Sequence, residues 1–285
     1  MNEPTRRNFD LEYIKNELII LEKTINGKLT IYIIGGAVMA MDGLKPGTKD
    51  IDIIVENKYY QKLLVRSLEQ CNYVTIQPQK LTKPYKELSA TILENTDGFR
   101  WDIFIKCVAK GLVLSNSMKK RTISIYSGEK LTVFRLSKED IFLLKGITSR
   151  NSDVEDMSLI AMAGVDYKIV FDECISQSDS DRKGNVWEAF LNEHCKALQS
   201  EYEIYVPFQK ELEKKATEKM LSLRIMEILK KAHMTKVEIL LESGGLNPLD
   251  IDEGLNFLLK KGKVKESVDG KFSLNNSKSV NVKRK

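Results

Sequence analysis

Histidine, cysteine and proline are scarce in this chain. Its 285 residues include two histidines, four cysteines, six prolines and two tryptophans. His194 and His233 alone cannot supply a multi-histidine metal site, and they argue against a His-dependent hydrolase. The cysteines (Cys71, Cys107, Cys174, Cys195) are far apart and form no Cys-x-x-Cys pair. They read as reduced thiols of an intracellular protein, not a disulfide frame or a zinc site. No uninterrupted apolar run approaches the roughly 18 residues that a membrane span needs. The opening MNEPTRRNFD has no apolar stretch suited to a secretory signal. A cytoplasmic protein is expected.

Apolar residues make up 42% and charged residues 30% of the chain, an ordinary globular balance. A prior of roughly 150 residues per domain suggests two domains. The net charge of +5 is unevenly spread. From Lys214 to Lys285 there are 16 Lys and Arg against 9 Asp and Glu, a balance of +7, which leaves −2 for the rest. A basic C-terminal module on a neutral body suggests a polyanion partner.

Hydrophobic periodicity predicts a helix over residues 9–25, with apolar positions Leu11, Ile14, Leu18 and Leu21. A β-rich run from Leu29 to Ile34 stops at Gly35-Gly36, and a short helix follows over Ala37 to Met41. Strands are expected over 49–55, 73–76, 88–93 and 99–105, with a helix over 59–71. A hairpin is expected over 121–126 and 131–136, turning at Ser127-Gly128. Ser137 with Asp140 fits a helix N-cap with a first-turn acid. The polar run 177–184 reads as a loop. Helices then follow over 187–202, 208–220, 221–231, 235–241 and 249–260. A last hairpin spans 263–274 around Asp269-Gly270.

The most informative segments are Ile33-Ile34-Gly35-Gly36-Ala37-Val38 and Thr48-Lys49-Asp50-Ile51-Asp52-Ile53. Alternate side chains of a strand share a face, so Asp50 and Asp52 project together. Paired carboxylates repel, and a divalent cation resolves the repulsion. Mg²⁺ suits hard oxygen ligands and binds through one or two carboxylates plus substrate phosphates. The strand Phe99 to Ile105 offers a third acid, Asp102, opposite its apolar face. Glycines without Cβ atoms let backbone N–H groups approach a phosphate. Strand, Gly-Gly turn, helix and two acidic strands together make a phosphoryl-transfer site.

This run of motifs resembles the opening of the nucleotidyltransferase superfamily (the polymerase β-like fold), most of all the branch of AbiEii-type toxins and small transferases. The resemblance covers about residues 29–165. It implies an α+β fold with a small mixed sheet as the transferase core. It also implies a Mg²⁺ cofactor, with Asp50, Asp52 and Asp102 as catalytic metal ligands and Gly35 and Gly36 at the triphosphate. The match extends to Ser137 through Lys145, with Arg150, Asp153 and Asp156 following. By that likeness Lys145 and Asp156 help to bind nucleotide, with Asp153 a rival for the latter role. Many members carry Ser or Arg between turn and acidic pair, whereas this chain has Lys45-Pro46-Gly47-Thr48-Lys49. Thr48 or Lys49 is therefore expected at the phosphates.

Three helices followed by a hairpin at the C-terminus resemble a winged helix-turn-helix. Its third helix opens with Asp250, Asp252 and Glu253, which would repel DNA phosphates. Its lysines (Lys260, Lys261, Lys263, Lys265) lie at its end and in the wing. The expected organisation is a transferase domain over 1–165, a helical connector over 166–213 and a winged-helix-like domain over 214–285. The expected activity is transfer of a nucleoside monophosphate from an NTP to an RNA hydroxyl (tRNA by family likeness) or a protein side chain, as in the toxin of a toxin–antitoxin system. The rival expectation is an inactive transferase fold that regulates by binding nucleic acid through residues 214–285.

Overall fold

The computed structural model describes residues 6–77, 90–108, 111–148, 150, 152–181 and 183–275. The chain divides into two compact units. The first contains the chain through Ser180 together with Phe190–Phe208; the second contains Asp181–Ala189 and the chain from Gln209 onward.

The first unit opens with α1 (Leu11–Thr24), capped by the Asp10 side chain, which accepts from the Tyr13 amide. Its buried Ile14, Leu18 and Leu21 recur at helical spacing. Then come β1 (Leu29–Ile34), α2 (Gly35–Met41), β2 (Asp50–Val55), α3 (Lys58–Gln70), β3 (Val74–Thr75), β4 (Thr91–Glu94) and β5 (Arg100–Ile105). The short strands β6 (Cys107–Val108) and β7 (Leu112–Val113) pair separately. After α4 (Asn116–Arg121) the hairpin β8 (Ile123–Ser127) and β9 (Leu131–Arg135) leads into α5 (Lys138–Ile147), α6 (Ser152–Met162) and α7 (Tyr167–Ser180).

Among the described residues, seven strands form one mixed sheet in the order β3-β4-β5-β2-β1-β9-β8. β1 runs antiparallel to β2 and parallel to β9, and β2 runs parallel to β5. The Leu-Thr-Ile-Tyr-Ile-Ile sequence of β1 is buried along almost its whole length, as expected for a strand covered on both faces. The mixed sheet is the one expected, and the β8–β9 hairpin joins it beside β1.

α8 (Trp187–Tyr202) contributes to both units, and α9 (Gln209–Leu229) begins the main run of the second. There α10 (Lys236–Ser243), α11 (Pro248–Lys260) and the antiparallel pair β10 (Val264–Glu266) and β11 (Phe272–Leu274) follow. Ile225, Ile228, Ile239, Ile251, Leu255, Leu258 and Phe272 form their shared core. Both shorter helices start with a capping box: Thr235 with Glu238, and Asn247 with Asp250.

Several elements differ from the expectation. The helices expected over 208–220 and 221–231 are one, Gln209–Leu229, because nothing between Met220 and Leu221 breaks the turn. The polar run 177–184 stays helical through Ser180. The reason is that the Gln177 side chain both accepts from the Val113 amide and donates to its carbonyl, closing the end of β7. Arg121 ends α4 instead of opening a strand, and Ser115 caps that helix. The strand expected over 88–93 is described only from residue 90, and it runs over Thr91–Glu94. Among the described residues, no helix is long and apolar enough to cross a membrane.

Candidate active site

The carboxylates sit on the central strands of the sheet. β2 and β5 are paired in register, so Asp52 lies directly beside Asp102, and Asp50 lies beside Arg100. On β1, the neighbour of Asp52 is Ile34, the residue before the diglycine. Adjacent strands lie roughly 4.8 Å apart, so Asp52 and Asp102 share one face at side-chain contact range.

The diglycine is built around that pair. Gly35 has φ +69°, the left-handed region. A Cβ placed there would lie 2.3 Å from Asp52 Oδ2, and one on Gly36 would lie 3.2 Å from Thr48 Oγ1. Only glycine at position 35 permits both the conformation and the approach of the carboxylate.

Burial and mutual repulsion raise the proton affinity of the acids. Desolvation, then the negative charge of Asp50, push Asp52 up to about 7, against the pull of Lys145, Arg150 and Arg6. Asp102, 2% exposed, is also shifted well above the usual carboxylate range, first by burial and then by Asp52 and Asp50. Among the described residues its buried Oδ1 has no hydrogen-bond partner.

Cations surround the acids. Arg6 donates to Asp50 Oδ2 at 2.6 Å and to the Lys49 carbonyl at 3.4 Å. Lys145 contacts Asp153 at 2.6 Å and Asp156 at 2.7 Å, and Lys45 contacts Asp156 at 2.5 Å. Burial lowers the affinity of Lys145 for its proton, but Asp153 and Asp156 outweigh it and hold the ammonium charged. The Thr148 hydroxyl lies within donating reach of both the Lys145 carbonyl and the Asp153 carboxylate, which places the end of α5 against the start of α6. A cleft lined by Gly35, Asp52, Lys145, Arg150 and Asp153 has an apolar wall of Phe104, Ile141 and Leu144.

The structure thus brings Gly35, Asp52, Lys145 and Asp153 to one cleft, with Asp102 beside Asp52 and Asp156 behind Lys145. Both rival acids, Asp153 and Asp156, touch Lys145. Thr48 is buried, and its hydroxyl donates to the Asp50 carbonyl at 2.8 Å, so it braces the acidic strand from beneath Gly36. Lys49 is exposed. Sequence reasoning gave no role to Arg6, Lys45 or Arg150. Arg150 was marked only by its place three residues before Asp153. Lys45 stood in the atypical connector, and nothing in the local sequence ties Arg6 to Asp50.

Among the described residues, no three Asp, Glu, His or Cys side chains are gathered closely enough to hold a metal ion by themselves. Arg6 accounts for part of this, since it engages Asp50. Mg²⁺ does not need a three-carboxylate cage, because one or two carboxylates plus water and phosphate oxygens complete its shell. The orphaned Asp102 Oδ1 beside the Asp52 carboxylate fits such an ion.

A search of curated proteins finds no match to this chain. A family model described as "Nucleotidyltransferase of unknown function" matches residues 10–170, the segment that carries the diglycine, the three aspartates, Lys145 and Asp156. That match spans more than half of the 285 residues, and the chain belongs to this family, DUF6036.

Proposed function

We propose that the chain transfers a nucleoside monophosphate from an NTP to a hydroxyl of an RNA acceptor, with Mg²⁺ as cofactor. The observation that carries this reading is the in-register pairing of Asp52 with Asp102 against the left-handed Gly35. Asp52 and Asp102, joined by Asp50 once Arg6 lets go, would hold the metal. When bound, Mg²⁺ supplies neutralisation of the triphosphate charge and alignment of its oxygens.

The chain's own groups do the rest. The triphosphate lies against the Gly35-Gly36 backbone, where no Cβ intervenes. Lys145 and Arg150 balance its charge, and the wall of Phe104, Ile141 and Leu144 excludes water from one side of the cleft. Asp102, ionised beside the metal, takes the proton of the acceptor hydroxyl. The acceptor oxygen then bonds to the α-phosphorus, the bond to the β-phosphate oxygen breaks, and pyrophosphate leaves. An RNA 3′ end, tRNA by family likeness, is the acceptor this reading favours over a protein side chain. A toxin role is consistent with that chemistry, since a blocked RNA end would be silenced.

A second reading, an inactive transferase fold retained by a nucleic-acid-binding regulator, is favoured by one observation: Arg6 engages the carboxylate that a metal would need. Incubation with each α-labelled NTP, Mg²⁺ and total cellular RNA or lysate separates the two. Label entering an RNA pool supports transfer to RNA, and label entering protein moves the acceptor to a side chain. No label with any NTP, together with no thermal shift by Mg²⁺ and NTP, supports the regulator.

A further inference from the structure

We propose that the cleft between α9 and α11 in the second unit binds a single-stranded polynucleotide. The cleft measures about 620 Å³. Four lysines line it: Lys214 and Lys215 from α9, Lys260 from the last turn of α11, and Lys261 at its C-cap. Like charges brought together from two helices repel each other. A chain of phosphates relieves that cost.

The rest of the lining selects a single strand. The Phe257 ring lines the cleft half-buried, with Lys261 Nζ 5.6 Å from its centroid. Such a ring offers a stacking surface to an unpaired base. Glu218, whose side chain is 20% exposed, is also part of the wall, 3.6 Å from Lys215. A carboxylate in the wall repels phosphate and accepts from base amino groups, so bases would enter while phosphates stay with the exposed lysines. A duplex, with its bases already stacked inside, cannot present that side. Of the three acids at the start of α11, only one opposes this placement, against four lysines. Asp250 is engaged in the capping box, and Asp252 pairs with Lys236 at 2.6 Å, so Glu253 is the one that lines the cleft. The surface therefore differs from the wing and helix start that a winged-helix likeness would favour.

The test is fluorescence anisotropy of the full chain with labelled mixed-sequence 12-mers: single-stranded RNA, single-stranded DNA and a DNA duplex. It is run without NTP or Mg²⁺, so its result is independent of the transferase reading. We expect tighter binding to single strands than to duplex. The slope of log affinity against log salt should be about −3, set by roughly 0.7 per lysine–phosphate contact. Lys214→Gln with Lys260→Gln should halve that slope and weaken binding about tenfold. Phe257→Leu should weaken it by about the same factor, with thermal midpoints confirming that each variant folds. No binding, preference for duplex, or affinity unchanged in the lysine double variant would overturn the proposal. So would loss of binding on neutralising Lys283, Arg284 and Lys285 alone.

Discussion

At the scale of single residues, the site is a balance of charge. Asp52 and Asp102 stand side by side, and the protein raises their proton affinity instead of pairing each with a cation. For Asp52 the folded value is about 7 and the unfolded one near 4. The folded state therefore binds the proton more tightly. The stability this gives is complete below pH 4 and is lost as pH rises through 7. Asp52→Asn removes a charge that is costly at alkaline pH. We expect the metal-free variant to be more stable than the parent at pH 8, by about 1–2 kcal/mol after discounting for partial solvent screening. The two should converge below pH 4, as denaturant melts at both pH values would show. The same variant should transfer no label. Arg6 provides the counter-charge for Asp50, and in the proposed reaction a metal would have to displace it. Arg6→Gln is expected to lower the Mg²⁺ concentration for half-maximal activity by up to about fivefold, the worth of one partly exposed ion pair. A Mg²⁺ titration of activity that moves the other way would assign Arg6 to the phosphates.

At the scale of elements, the turn between β1 and α2 makes the acid pair usable. Gly35→Ala would put a Cβ in the left-handed region and 2.3 Å from Asp52 Oδ2. We expect a stability loss of about 1–3 kcal/mol. Transfer should fall at least about 100-fold, since a displacement of about 1 Å at a reacting group is enough for that. Thermal melts and label transfer measure the two effects separately. This element was legible in the sequence because its information is local. A β-rich run, two glycines and an alternating Asp pair lie within about 25 residues, and strand periodicity fixes which side chains share a face. Asp102 was legible for the same reason, as the one acid on an amphipathic strand. The Lys145 cluster was half legible. Its helix is marked by Ser137 and Asp140, but the choice between Asp153 and Asp156 depended on a turn at Thr148 that lets Lys145 reach both. Arg6 was illegible, because its contact with Asp50 spans 44 positions and follows from the Phe9–Thr48 bridge, which no periodicity announces.

At the scale of the whole molecule, the two compact units have separate cores. The basic balance of the C-terminal segment was readable in advance. The unbroken helix over Gln209–Leu229 was not, since residues on both sides of 220 have apolar periodicity and only packing decides whether they form one helix or two. Phe272 is 1% exposed in the core of the second unit and pairs through its backbone with Met234. Phe272→Ala should destabilise that unit by about 3–5 kcal/mol. NTP binding, which the proposed function assigns to the first unit, should persist. Calorimetry with and without Mg²⁺ and NTP would show a lowered transition for the second unit and an unaltered ligand-dependent shift for the first.

The central claim is that neighbouring carboxylates on β2 and β5 hold a divalent ion together with a nucleotide. Electron paramagnetic resonance of Mn²⁺, standing in for Mg²⁺, tests it directly in the presence of a non-hydrolysable NTP. The account predicts that the parent protein lowers the free Mn²⁺ signal below the level set by the nucleotide alone, and that Asp52→Asn and Asp102→Asn, folded by circular dichroism, leave it at that level. Equal quenching by parent and variants, or none by the parent, would contradict it.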